Sequence, residues 1–125
     1  MIDHISIGVS DIDAAGEFYD TVLSPLGYDQ YVDTQEMIGY TSEAGESAFF
    51  VRLENNTQPP SSGSHIAFVA PDRASVNEFY HTAVDAGATD DGGPGLRPEY
   101  SDHYYAAYVI DPHSYRIEAV TRQPE

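Results

Sequence analysis

The chain has 125 residues, 41% of them hydrophobic, enough for one domain with a sizeable core and too apolar for a disordered tail. Twenty-one acidic residues stand against five basic ones, all arginine, for a formal charge of −16; this argues against nucleic acid or anionic membrane as a partner, because phosphate binding needs clustered cations. No cysteine occurs, which excludes disulfides, thiolate metal sites and a cysteine nucleophile.

Residues 4–9, HISIGV, alternate as a half-buried strand does, with Ile5, Ile7 and Val9 on one side and His4, Ser6 and Gly8 on the other. SDIDAAGEFYDTVLSPLGY predicts a helix capped by Ser10 or Asp11, with Ala14, Phe18, Val22 and Leu23 on one face; Ser24-Pro25 and Gly27 close it. Short strands follow at 29–34, 37–42 and 47–53, with turn signals at Gly39 and at 43–46. ENNTQPPSSGS reads as a loop.

The order then repeats. HIAFVA (65–70) is a strand, and DRASVNEFYHTAVDAG is a helix with Asp72 as cap and Gly87 as stop. Val76, Phe79, Tyr80 and Ala83 are its candidate core residues. A short strand near 88–91, a long loop DDGGPGLRPEYSDH, and strands in YYAAYVID and YRIEAVT complete the chain. A repeat of this size decides the fold. The expected class is α+β: tandem β-α-β-β-β modules at 1–54 and 65–125, joined by a linker at 55–64. Together they form a curved mixed sheet with helices on one face and a concave site on the other. No apolar run approaches the ~20 residues that span a bilayer, and no secretory signal is recognisable; a soluble cytoplasmic protein is expected.

Alternate residues of a strand share a face, so the pleat decides what lines the concavity. His4 and His65 occupy equivalent places in the two modules. In the last strand Ile117 and Ala119 suit the helix side, which turns Glu118 inward. In FFVRL, Phe49, Val51 and Leu53 suit the helix side, which turns Phe50 and Arg52 inward. Two imidazoles and a carboxylate form the facial set that binds divalent Fe and also suits Mn, Ni or Zn, with positions left open for substrate. A buried carboxylate without a cation is costly. Pairing of Glu118 with Arg52, with no metal, is the other way to meet that cost.

IDHISIGVSDIDAAGEFYDTVLSPLGY and GSHIAFVAPDRASVNEFYHTAVDAGA resemble the two module openings of the vicinal oxygen chelate superfamily. That group includes glyoxalase I, extradiol dioxygenases, fosfomycin resistance enzymes and bleomycin-binding proteins. YYAAYVIDPHSYRIEAV is similar to its closing hairpin, and His4, His65 and Glu118 stand where the family's metal ligands stand. The resemblance implies one divalent ion, a small-molecule substrate, and pairing of chains as a homodimer. Arg52 replaces the further metal-binding side chain of glyoxalase I, which argues against that activity. Tyr108 matches the substrate-binding tyrosine of extradiol dioxygenases, while the place of their acid–base histidine falls near Arg52. The turn DPHSY lacks the glycine of the family's D-P-x-G form. The acid-rich, lysine-free composition in turn resembles that of proteins from salt-accumulating halophiles.

The enzymatic reading assigns the metal to His4, His65 and Glu118, and catalytic roles to Glu118, Tyr108 and His103. The last is a candidate base on a loop of the kind that closes over clefts. Arg52, Phe50, Tyr105 and Arg97 would contact substrate, in lyase, isomerase or dioxygenase-type chemistry. The other reading is a metal-free protein that binds or sequesters a small molecule, as bleomycin-resistance members do. Tyr108 can equally be aromatic packing and Arg97 a loop anchor.

Overall fold

The alternation of HISIGV and HIAFV is realised as two edge strands, β1 (His4–Val9) and β5 (His65–Val69), each opening one module. The computed structural model describes residues 1–125. After β1 come α1 (Ile12–Leu23), β2 (Tyr28–Asp33), β3 (Met37–Ser42) and β4 (Ala48–Leu53); after β5 come α2 (Arg73–Asp85), β6 (Thr89–Leu96), β7 (Tyr105–Ile110) and β8 (Arg116–Thr121). The fold is α+β, and each module builds its own four-stranded mixed sheet, ordered β1-β4-β3-β2 and β5-β8-β7-β6. The opening strand runs parallel to the closing one in both, β1 with β4 and β5 with β8, and the other pairs are antiparallel. No helix is long and apolar enough to cross a membrane.

Both helices start on an aspartate whose carboxylate accepts a backbone N–H of the first turn: Asp11 from Ala14 at 3.0 Å and Asp72 from Ser75 at 2.8 Å. These side chains satisfy donors that the helix itself leaves free. The buried face of α1 is Ala15, Phe18, Tyr19, Val22 and Leu23, an i, i+3, i+4, i+7, i+8 stripe. Ala14, expected on that face, is exposed. Tyr19 takes the central place because its hydroxyl finds a partner in the interior, donating to Asp111.

One core of 22 buried residues serves both modules. Phe49 of β4 meets Phe68 of β5 edge-on at 5.1 Å. The Tyr28 hydroxyl donates to the Val69 carbonyl at 2.8 Å, and the Tyr115 hydroxyl donates to the Gly8 carbonyl at 2.7 Å. The modules are thus joined through side chains and not through strand pairing: β1 and β5 each pair only with strands of their own sheet. Because the helix-covered sides share the core, the open faces of the two sheets turn away from it.

The second module departs from the sequence expectation in one place. β6 runs to Leu96 through DDGGPGL, a stretch whose glycines and proline signal a loop. It is an edge strand with two register shifts against β7, and such a strand tolerates both proline and bulges. Gly92, at φ +146°, lies under the Tyr108 ring, where a Cβ would meet that ring at 3.0 Å.

Candidate functional site

The pleat of β8 puts Ile117 and Ala119 in the core and so turns Arg116, Glu118 and Val120 to the open face. β5 and β7 add to the same face: Ala67 pairs with Glu118 on one side and Tyr108 on the other, with His65 at the strand's start. The result is an open cavity of about 560 Å³ lined by His65, Tyr100, Tyr104, Tyr108, Arg116, Glu118 and Arg122, among others.

Glu118 is its centre. It is only 1% exposed, although it lies on the face that no helix covers, because neighbouring side chains close over it. His65 Nε2 lies 3.2 Å from Oε1, and the Tyr104 hydroxyl donates to Oε2. Burial, then the Glu118 carboxylate, hold the Tyr104 phenol well above its ordinary range. Tyr108 is raised in the same way, by burial first and Glu118 second, with Arg97 working in the opposite direction. Both phenols are therefore proton donors at neutral pH.

The fit of this site to a divalent ion can be tested on the donor set. Imidazole nitrogen and carboxylate oxygen bound to one ion at about 2.0–2.2 Å lie roughly 3.0–3.4 Å apart for angles between square and tetrahedral. The His65–Glu118 separation of 3.2 Å falls within that range, so two donors fit. The third expected donor is elsewhere in the chain. His4 stands on the open face of the first sheet, edge-on to Phe50 at 5.5 Å and 2.7 Å from Asp3. Within a single chain no three His, Cys, Asp or Glu side chains come together as a metal-binding group. His4 instead borders a separate apolar groove of about 230 Å³ between the modules, with Ile5, Ile66 and Phe68.

Arg52 was expected near Glu118, and this needs correction. Phe49 and Val51 are buried, so the register of β4 is as read, and Phe50 and Arg52 share the open face with His4. That face belongs to the other sheet, and the Arg52 guanidinium reaches only the sulfur of Met37 at 3.9 Å. Gly39 sits in β3 and forms no turn; a Cβ there would meet the Phe50 ring at 2.7 Å, so the glycine makes room for that ring. Tyr105 is the second correction. It lies on the helix side of β7, where its hydroxyl donates to Asn77 at 2.6 Å and Arg73 covers its ring. His103 is exposed on the loop between β6 and β7 and does not line the cavity. Arg97 anchors that same loop, donating to the Gly93 carbonyl at 2.7 Å, and stacks 5.3 Å above Tyr108.

Tyr104, Arg116 and Arg122 are the site residues that sequence reasoning missed. The strand period carried the signal for both arginines, since they stand two before and four after Glu118 and so share its face. Tyr104 stands four before Tyr108 in the stretch YYAAYVID, so the same period pointed it to that face.

Residues 1–119 match the family model of the Glyoxalase/Bleomycin resistance protein/Dioxygenase superfamily. Among solved structures, a glyoxalase/bleomycin resistance protein from Albidiferax ferrireducens T118 is 28% identical. The match covers 96% of this chain and 98% of that one, with a TM-score of 0.86. A glyoxalase/bleomycin resistance protein/dioxygenase family enzyme from Burkholderia phytofirmans PsJN is 18% identical over 97% and 98% of the chains, with a TM-score of 0.72. The genomically encoded fosfomycin resistance protein FosX from Listeria monocytogenes is 16% identical over 96% and 91%, with a TM-score of 0.70. At these last two identities the likeness is one of fold. No curated protein matches the chain.

Proposed function

The chain belongs to the Glyoxalase/Bleomycin resistance protein/Dioxygenase superfamily, and from that premise we propose a divalent-metal-dependent enzyme acting on a small oxygen-chelating substrate. The observation that carries the reading is the buried Glu118 carboxylate with His65 Nε2 at ligand-pair separation. A buried anion of this kind favours a cation beside it. The ion, one of Fe, Mn, Ni or Zn, would be held by His65 and Glu118 together with His4 from a second copy. When bound it would act as a Lewis acid on vicinal oxygens of the substrate.

The second copy is argued from the strands. β1 and β5 are both edge strands without partners on their outer sides, and an unpaired edge is a template for another chain. Ile2, just before β1, and Val69, at the end of β5, are 61% and 67% exposed. A homodimer that sets the open face of the first sheet of one protomer over the cavity of its partner would deliver His4 there. The same movement would bring Phe50 and Arg52, which share that face. Tyr104 orients the Glu118 carboxylate, and Tyr108 presents its hydroxyl to whatever occupies the cavity.

One observation favours a second reading, a metal-free binding protein. The Glu118 carboxylate already has two partners within the chain, His65 and the Tyr104 hydroxyl, and a buried acid so bonded can stand without an ion. The two readings separate on protein purified without a histidine tag or chelator. The enzymatic one expects close to one divalent ion per chain by elemental analysis, lost in Glu118→Gln, and a dimer in sedimentation. Metal-free protein under those conditions, with His65→Ala and wild type equally unable to take up zinc, selects the binding protein.

A further inference from the structure

Cations are scarce in this chain, which has five arginines and no lysine against 21 acidic residues. Three of the five gather at one cavity. Arg116 and Arg122 line it, and Arg97 lies above the ring of Tyr108, itself a lining residue. Of these only Arg116 has a carboxylate partner, Asp91 at 2.9 Å; the other arginine ion pair in the molecule is Arg73 with Glu125. Arg97 and Arg122 have none, despite the excess of acids around them.

The two unpaired guanidiniums differ in what they have left to offer. Arg97 spends donors on the carbonyls of Gly93 and Leu96 in β6. Arg122 lies over the Tyr104 ring, its guanidinium carbon 5.0 Å from the ring centre, and its N–H groups make no ion pair. A planar fork fixed in this way is suited to bidentate contact with an oxyacid. Among the charged side chains that line the cavity, Arg116 and Arg122 balance Asp91 and Glu118, and Arg97 over the Tyr108 ring adds one positive charge in a protein of −16. At physiological salt the screening length is about 8 Å, so a ligand in the cavity feels these groups more than the distant surface acids.

We propose that this cavity takes a small organic carboxylate, its anionic end on Arg122 and its body against the rings of Tyr104 and Tyr108. The monoanion matches the local excess of one charge. This names the substrate class for the site proposed above and rests on that reading only for the direction of the reacting oxygens, toward His65 and Glu118. Arg122 is a binding residue here; Arg97 adds field and holds Tyr108.

The test uses full-length protein in chelator-containing buffer and three probes: benzoate, its neutral isostere benzamide, and the cation benzylamine. Binding is followed by NMR shifts of the tyrosine and arginine side chains. Benzoate should bind several-fold more tightly than benzamide, benzylamine should bind least, and shifts should centre on Tyr104, Tyr108 and Arg122. Arg122→Gln should weaken benzoate roughly tenfold, on the scale of a lost charged hydrogen bond, while Arg73→Gln on the helix side leaves it unchanged. Glu118→Gln should tighten benzoate by removing the opposing charge. Equal binding of benzoate and benzamide, or an Arg122→Gln variant that binds benzoate as wild type does, overturns the proposal whatever the metal result. The metal reading is scored separately, after the chelator is dialysed away: zinc should tighten benzoate in wild type and have no effect in Glu118→Gln. Its failure there leaves the carboxylate site standing.

Discussion

Glu118 is an ionisable side chain with 1% of its surface exposed, so its partners decide both its own state and the chemistry beside it. Removing one of them strands a buried polar group, which costs more than the bond was worth. Tyr104→Phe takes away the hydroxyl that donates to Oε2; we expect a loss of about 1–2 kcal/mol in urea unfolding. Glu118→Gln keeps the volume and one acceptor oxygen, so folding should suffer less than metal uptake. Titration with zinc beside an unfolding curve on the same variant checks this, and an equal loss in both would make Glu118 a structural residue. His65 and Glu118 were legible as a pair from the sequence because both lie on strands, where period two leaves no freedom of face. The face of Tyr104 was legible from its spacing to Tyr108 in YYAAYVID, but its bond to Glu118 was not, and neither was the closure of its loop by the Arg97 N–H donating to the Tyr104 carbonyl at 2.7 Å, which no periodicity records.

Single turns and hydroxyls hold the elements to one another, and two of these ties can be tested. The turn between β7 and β8 departs from the family form at Ser114, which has φ +76°, a left-handed conformation that costs a non-glycine residue about 1–2 kcal/mol. Ser114→Gly should relieve that strain, less the extra chain entropy that glycine loses on folding. A gain of up to about 1 kcal/mol follows, and an unchanged or lower melting midpoint would count against strain at this position. Asp111 organises the same turn, accepting N–H bonds from His113 and Tyr115 at 2.8 Å and the Tyr19 hydroxyl from α1. Burial pushes its carboxyl up, against the lowering effect of those donors. Tyr19, Tyr28 and Tyr40 tie α1, β2 and β3 to their neighbours, and burial is the first cause raising all three phenols above 10.0. Their folded values exceed the unfolded value of about 10, so the stability they contribute is present below that pH and is lost as pH rises through the raised values. Base titration followed at the tyrosinate band should therefore show part of the absorbance appearing only with loss of the circular dichroism signal. Elements were legible where the hydrophobic period was regular. They were misread where bulges interrupt it, as in β6, and where a polar atom is buried against a distant partner, as for Tyr19.

At the scale of the whole molecule, charge is the property that stands furthest from the ordinary. The duplicated module was legible in the sequence because both copies open on the same strand-and-helix pattern. How the copies sit was not, since the shared core depends on contacts such as Phe49 with Phe68, and neither residue's pattern names its partner. The consequence is that two open faces and a net charge of −16 are presented to solvent, with only two arginine–carboxylate pairs offsetting it. Pairing of two such chains would set one charge of −16 against another, so salt should act on both folding and association. In dilute buffer at 0.01 M the screening length is about 30 Å, larger than the separation of most charges on a domain of this size; at 1 M it is about 3 Å, shorter than nearly all of them. Self-repulsion that destabilises the compact state is thus present in the first condition and almost removed in the second. We expect the melting midpoint to rise steadily from dilute buffer to molar KCl and the dimer fraction in sedimentation to rise with it. Matching NaCl should reproduce both effects, and an uncharged osmolyte chosen for equal water activity should not. A midpoint that is flat or falls with salt would show that the acidic surface is tolerated for some reason other than concentrated salt.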